Sequence, residues 1–350
     1  MQFDDAGATV ELVVLREPEA QLEGVIAIHS TALGPAAGGC RFTTYPDFSR
    51  CVEDAHRLAR GMTFKNAMAG LPLGGGKAVI RRPEGPFDRA ALFEAFGHAV
   101  GRLKGRYLTA EDVGTTVADM EAVARSTRHV AGLPRASGHP GGDPSPWTAR
   151  GVFVSMQHAA SRVLGKPLSE VSVAIQGVGN VGEALARQLH DAGARLVIAD
   201  VDSERVAKVA ASTGAFVAST ADVLKADVDV IAPCALGGAI DHRLLGSVRA
   251  RIICGGANNQ LAERGLGPRL AAAGITYCPD YIANAGGIIS VAGEHLGWSA
   301  ADVAQRVENT ADRLAGVLDV AVSLGLSPAD AADRLAIEKL KKVGRRPIAA

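Results

Sequence analysis

The sequence predicts an α/β fold of two domains around a cleft, and three observations predict it. The chain has 350 residues, enough for two domains each with a buried core. Strand-like apolar runs alternate with amphipathic helical stretches along most of its length. One such alternation, VSVAIQGVGNVGEALARQL from Val171, carries an apolar strand straight into a glycine fingerprint and a helix. The expected domains are residues 1–138, with the C-terminal helix near 322–350, and residues 139–321, the Rossmann-type dinucleotide-binding domain.

Composition excludes several classes. Lysine plus arginine equals aspartate plus glutamate, 37 each, which argues against nucleic acid or an anionic membrane as the partner. The N-terminus MQFDDAGATV is acidic and no apolar run approaches about 20 residues, so a cytoplasmic protein is expected. Five cysteines, an odd number without a C-x-x-C pair, imply neither a disulfide framework nor a zinc site. Cys234 and Cys254 lie in apolar runs as buried, inert thiols. The histidines lack H-x-x-x-H spacing, and no metal is expected.

Taken in order, Thr9 to Leu15 and Val25 to His29 read as two strands joined by a turn over Pro18 to Gly24. LGPAAGGCR (33–41) reads as a glycine-rich loop able to bring backbone against a ligand. A long helix follows from Asp47, with Val52, Ala55, Leu58, Ala59 and Met62 on one face, and it delivers Lys65 near its end. Pro72, Gly74, Gly75 and Gly76 then read as a tight loop before Lys77, with a short buried strand of Ala78–Ile80 after it. Phe87 to Leu103 is helical. Residues 106–116, RYLTAEDVGTT, read as a strand ending in Glu111 and Asp112, where α/β sheets place ligands. Asp112 as a cap for the helix from Thr116 is the plainer alternative. The proline- and glycine-rich stretch 132–146 marks a hinge or linker, and Thr148 opens the next helix.

In the fingerprint, Gly177 and Gly179 permit the turn and the approach of a pyrophosphate, and Gly182 lets helix pack on strand. Asn180 and Val181 open the helix whose N-terminus would receive the phosphates. The next strand, RLVIAD, ends at Asp200, 23 residues after Gly177. A carboxylate there accepts from ribose hydroxyls and repels a 2′-phosphate, so NAD is favoured over NADP. Further strands are expected near 215–217, 228–232, 251–254 and 275–278. They end in ligand-facing stretches holding Cys234 and Ala235, Asn258, and Asn284. From Ser299 the chain is helical, with a break at 325–328 and a basic end, KLKKVGRR.

Residues 61–80, GMTFKNAMAGLPLGGGKAVI, hold the chemistry of greatest interest. A lysine beside a glycine run is an anion hook or a catalytic amine, and like-charge repulsion from a second lysine favours the neutral amine. A P-loop is excluded, because Leu71 stands in place of its first glycine and Ala78 in place of its hydroxyl residue.

LGPAAGGCR, GMTFKNAMAGLPLGGGK, TAEDVGTT, GVGNVG, APCALGG, GGANNQL and PDYIANAGG, in that order, resemble the Glu/Leu/Phe/Val amino-acid dehydrogenase family over nearly the whole chain. The resemblance implies an N-terminal domain that binds substrate and makes a homo-oligomer, and reversible NAD-dependent oxidative deamination of an L-amino acid to a 2-oxo acid and ammonia. It implies that Lys65 holds the substrate carboxylate, Lys77 activates water and Asp112 shuttles protons at the amine. Gly39 and Asn258 resemble substrate-contacting positions and Asn284 a nicotinamide contact. Thr148, Cys234 and Ala235 join Gly177, Gly179, Asn180, Val181, Gly182 and Asp200 as cofactor-binding positions. Ala37, Ala110, Ile288 and Val291 resemble the side-chain pocket. Neither Ala37 nor Val291 can pair a carboxylate, so glutamate is disfavoured. Small Ala37 leaves room for an aromatic ring, whereas Cys40, AEDVGTT and GGDPSPWTARG look leucine/valine-like, with Trp147 an unusual residue in the last. A branched-chain substrate is expected, with phenylalanine or another aromatic amino acid as the alternative.

Two rivals are weighed against this. A catalytically inactive NAD-binding regulatory protein would be expected to lose Lys65, Lys77 or Asp112, and all three stand. A 2-hydroxy-acid dehydrogenase would need a histidine base with an arginine at a strand end, and the sequence offers no such pair.

Overall fold

A computed structural model describes residues 11–134, 138, 140–263 and 265–344. The start of the expected first strand, Thr9 and Val10, and the Arg345–Arg346 end of the basic stretch lie outside the described residues. The chain divides into two compact units. One comprises Met1–Pro144, Ile288–Val303 and Ala336–Ala350, the other Ser145–Gly287 and Ala304–Leu335.

In the first unit, β1 (Glu11–Glu17) and β2 (Leu22–Ser30) form an antiparallel hairpin, followed by β3 (Ala36–Ala37) and β4 (Cys40–Thr43). The long helix α1 (Phe48–Ala69) starts at Asp47, whose side chain accepts from the Arg50 amide, and stops at Gly70 in the left-handed conformation. Then come β5 (Gly74–Arg81), α2 (Arg89–Arg102), β6 (Tyr107–Leu108) and α3 (Val117–Ala124). The sheet runs β1-β2-β5-β3-β6, with β4 also paired to β5. Its core packs Ile26, Ile28, Ile80, Phe93, Phe96 and Tyr107, which explains why α2 reads as amphipathic.

Three sequence expectations are corrected here. The three glycines are not a loop, because β5 begins at Gly74. They are required by crowding. A Cβ on Gly74 would stand 1.9 Å from the Ser30 carbonyl oxygen, one on Gly75 2.2 Å from the Thr63 amide, and one on Gly76 2.9 Å from the Tyr107 ring. Nor does Asp112 cap a helix: Thr116 caps α3 in a reciprocal capping box with Asp119. The expected strand over 106–116 shrinks to Tyr107–Leu108, with single bridges from Thr109 to Val130 and from Glu111 to Cys40.

The second unit begins with α4 (Ser145–Leu164), three residues ahead of the expected start. There follow β7 (Ser172–Gln176), α5 (Asn180–Asp191), β8 (Arg195–Ala199), α6 (Ser203–Thr213), β9 (Phe216–Val217), β10 (Val230–Pro233) and α7 (His242–Leu245). Then come β11 (Ile252–Ile253), α8 (Leu266–Ala272), β12 (Thr276–Tyr277) and α9 (Asp280–Ala283). Of the remaining helices, α10 (Gly286–Leu296) lies almost wholly in the first unit, α11 (Ala300–Glu308) and α13 (Pro328–Gly344) are divided between the two, and α12 (Thr310–Leu324) belongs to the second. The sheet is parallel throughout, in the order β12-β11-β10-β7-β8-β9. That is the doubly wound order, whose direction reverses between β7 and β10, and such a reversal is where dinucleotides bind. The α/β expectation holds. Among the described residues, no single helix is long and apolar enough to cross a membrane.

Candidate active site

In the first unit, Lys77 on β5 and Asp112 after β6 are drawn together. Lys77 Nζ lies 3.0 Å from Asp112 Oδ2, with the two side chains 5% and 13% exposed. The backbone on both sides is fixed. Gly39 has no room for a side chain, since a Cβ there would meet the Glu111 carbonyl oxygen at 2.4 Å and Asp112 Cβ at 2.9 Å. The Asp112 amide donates to Thr115 Oγ1, which in turn reaches the Cys40 carbonyl. Burial pushes the Asp112 carboxyl up, yet Lys77 and Arg41 outweigh it and hold the group below the ordinary carboxylate range. The site therefore presents a carboxylate and an amine side by side in a desolvated setting, a pair suited to moving protons.

Lys65 stands half-buried near the end of α1. Its neighbour Asn66 donates to the carbonyls of Ala37 and Gly74, which ties that end of the helix to β3 and β5. Ala37, Ala110, Ile288 and Val291 are all buried in this unit. Beside Asp112, the Glu111 carboxyl is pushed up to about 7, by burial first and then by Asp143, Asp119 and Glu294. Glu294 itself accepts from the amides of Gly132 and Leu133.

The second unit carries the other constellation. Gly177 follows β7 with φ +92°, where a Cβ would strike Ala235 at 2.8 Å. A Cβ on Gly182 would lie 1.9 Å from the Gly177 carbonyl oxygen, so both glycines are required by contact. Helix α5 follows its N-cap Gly179, which has no side chain to cap it, and points its N-terminus, where the helix dipole favours an anion, at the turn. Asp200, at the end of β8, accepts from the Val178 amide at 2.7 Å and the Asp202 amide at 3.0 Å. A carboxylate has about four acceptor sites, so capacity for ribose hydroxyls remains. Asn284 Nδ2 donates to Asn258 Oδ1 at 2.9 Å and to the Gly256 carbonyl at 3.1 Å. Asn284 Oδ1 is buried with no partner among the described residues, an acceptor suited to a carboxamide N–H. The residues fit a dinucleotide. Cys234 accepts from the Gly256 amide, and burial pushes its thiol up to about 11, although the residue as a whole is only half-buried. Thr148 and Trp147 lie in the first turn of α4, and the Trp147 carbonyl packs so closely on Gly286 that a Cβ there would meet it at 1.8 Å.

Sequence reasoning missed Arg41, which joins Asp112 to Asp54, although it lies within the quoted GGCR motif. No local signal could have found it, because its contact with Asp112 spans 71 residues. It also missed Arg205, whose Nη1 lies 3.5 Å from the Cβ position of Gly179.

A doubly wound parallel sheet with a glycine-lined dinucleotide site, in one chain with a buried lysine–aspartate pair, defines the class as a dehydrogenase. Residues 9–129 match the model of the Glu/Leu/Phe/Val dehydrogenase dimerisation domain, and 143–206 with 199–346 that of Glutamate/Leucine/Phenylalanine/Valine dehydrogenase. The chain is 43% identical to a leucine dehydrogenase of Bacillus subtilis, over 96% of this chain and 92% of the relative. It is 42% identical to a valine dehydrogenase of Streptomyces coelicolor, over 98% and 95%. The crystal structure of L-tryptophan dehydrogenase from Nostoc punctiforme superposes with a TM-score of 0.81 at 36% identity, covering 97% of this chain and 98% of that one. The chain belongs to the Glu/Leu/Phe/Val dehydrogenase family, and is an oxidoreductase acting on CH–NH2 donors.

Proposed function

We propose that the protein catalyses reversible, NAD-dependent oxidative deamination of a branched-chain L-amino acid, leucine, valine or isoleucine, to the 2-oxo acid and ammonia. The buried Lys77–Asp112 pair carries the reading. Lys65 holds the substrate carboxylate. Asp112 takes a proton from the substrate ammonium, which frees the nitrogen lone pair to assist hydride loss from Cα. NAD, when bound, is the hydride acceptor. Lys77 then takes one proton from the water that adds to the iminium carbon, and Asp112 returns its proton to the carbinolamine nitrogen; the C–N bond breaks as the hydroxyl loses its remaining proton to solvent, giving the 2-oxo acid and ammonia. Gly39 and Asn258 contact the substrate. Gly177, Gly179, Asn180, Val181, Gly182, Thr148, Cys234, Ala235 and Asn284 hold the cofactor, with Asp200 selecting NAD.

The choice of substrate is supported by the leucine and valine dehydrogenases among the relatives. It is supported also by Ala37, Ala110, Ile288 and Val291, an apolar set with nothing to pair a side-chain carboxylate. A second reading, an aromatic substrate, is favoured by the small side chain of Ala37 and by the likeness to a tryptophan dehydrogenase. The substrate and oligomerisation domain is assigned to 1–138 with 322–350 and the NAD domain to 139–321, except that Ile288–Val303 packs with the first unit and Val322–Leu335 with the second. A homo-oligomer is supported by Leu12 and Val14, exposed on edge strand β1 within the stretch matching a dimerisation domain. A cytoplasmic setting suits five cysteines that are all free thiols.

The test is NADH absorbance with purified protein, NAD and a panel of L-leucine, L-valine, L-isoleucine, L-phenylalanine, L-tryptophan and L-glutamate. Branched-chain substrates are expected to turn over fastest and glutamate not at all. Fastest turnover of glutamate, or silence across the panel with NAD binding intact, refutes the reading.

A further inference from the structure

The catalytic carboxylate is held from behind by a chain of side chains that reaches the protein surface. Asp112 Oδ2 receives Lys77 Nζ on one side and Arg41 Nε, at 3.2 Å, on the other. The same guanidinium turns its Nη1 to Asp54 Oδ2 at 2.9 Å. Asp54, on α1, is held at both oxygens: Tyr45 Oη donates to its Oδ2 and Arg57 Nη2 to its Oδ1, each at 2.6 Å. Arg41 and Asp54 are 16% and 15% exposed, and beyond them Tyr45, Arg50 and Arg57 line a surface cavity of about 530 Å³. An arginine fork fixes direction as well as charge, because its planar donors serve two acceptors only in one orientation. Lysine has no such fork and could not span both carboxylates.

We infer that Arg41 is a positioning residue for the proton-transfer step, aiming the Asp112 carboxylate at Lys77 and the substrate nitrogen, and that Asp54 anchors Arg41. This rests on the dehydrogenase reading above. The groups facing Asp112 are Lys77 on β5, Arg41 and Cys40 on β4, and Tyr107 on β6. Burial pushes the Cys40 thiol and the Tyr107 phenol well up, so both are neutral near pH 7 and the charged neighbours are Lys77 and Arg41. Removing the Arg41 cation therefore raises the pH needed to deprotonate Asp112.

The experiment measures kcat and kcat/KM for leucine against pH in wild type, Arg41→Met, Arg41→Lys and Asp54→Asn, with NADH affinity by fluorescence and folding by circular dichroism. Arg41→Met is expected to lower kcat about 10- to 100-fold, the cost of a carboxylate displaced by about an ångström. Its acid limb moves to higher pH, while NADH affinity stays unchanged. Arg41→Lys and Asp54→Asn keep a cation beside Asp112 but lose the anchored fork, so kcat falls with no upward movement of the acid limb. Folded Arg41→Met with a wild-type pH profile and kcat overturns the proposal. If Arg41→Met does not fold, wild-type kcat in Arg41→Lys and Asp54→Asn overturns it. Inactive wild-type protein removes the dehydrogenase reading and this proposal together, whereas active wild type with unaltered variants removes only the role of Arg41.

Discussion

Replacing Lys77 by methionine separates the two jobs assigned to the lysine, chemistry and charge compensation. Methionine keeps most of the buried stem, so little cavity forms and the change is mainly the loss of the ammonium. Removing one partner of a buried ion pair costs about 3–5 kcal/mol, because the other charge stays behind without water. Here Arg41 still faces Asp112 at 3.2 Å. The expected cost is therefore below that range, about 2–3 kcal/mol, or a fall in Tm of roughly 5–10 °C. Adding Asp112→Asn removes the stranded charge, so the double variant should be more stable than the sum of the two single losses by about 1 kcal/mol or more. Turnover should fall at least about 100-fold, since a positioned base contributes about 10²–10⁴. NADH binding should be unchanged, because its residues lie in the second unit. Circular dichroism melts, NADH fluorescence and leucine-dependent NADH formation read the three quantities. Turnover within tenfold of wild type removes Lys77 from the mechanism. Strict additivity of the two substitutions refutes the electrostatic account of the pair.

Further expectations concern single positions. A carboxyl protonated in the fold up to about 7 but ionising near its ordinary 4.5 when unfolded costs stability as pH rises across that window, and Glu111 is such a group. Half exposure screens the effect to about 1 kcal/mol. Melts from pH 4.5 to 8 should therefore show wild type losing stability relative to Glu111→Gln, and parallel curves would reject the assignment. Gly182→Ala pushes a methyl group into the Gly177 carbonyl at 1.9 Å, and should cost about 1–3 kcal/mol and most of the NADH affinity. Both are readable by melting and fluorescence titration. Asp200→Ala takes away the charge that repels a 2′-phosphate, so the preference for NAD over NADP, measured as the ratio of kcat/KM values, should drop about tenfold or more.

The dinucleotide half was legible because its signal is local. Strand, fingerprint glycines, helix and the acidic end of the next strand follow one another from Val171 to Asp200 within a single short stretch. The start of α1 near Asp47 and the helical periodicity of α2 were legible for the same reason. Lys77 and Asp112 were singled out by motif, but their 3.0 Å contact is made by strand pairing. β4 lies parallel to β5 and is bridged to Glu111, so two segments far apart in the chain arrive at one oxygen.

The triple glycine was misread because a sequence records the freedom of glycine and not what fills the space beside it. That space is taken by Ser30, Thr63 and Tyr107, from a strand, a helix and another strand. Local chemistry along the chain thus determined the α/β class, the phosphate-binding turn and the identity of the lysine and the carboxylate. Only tertiary structure decided that the glycines belong to a crowded strand and that Asp112 faces Lys77. It also decided that Arg41, 71 residues away, stands behind that carboxylate, since contacts between distant segments depend on sheet register and helix packing, which no short window of residues contains.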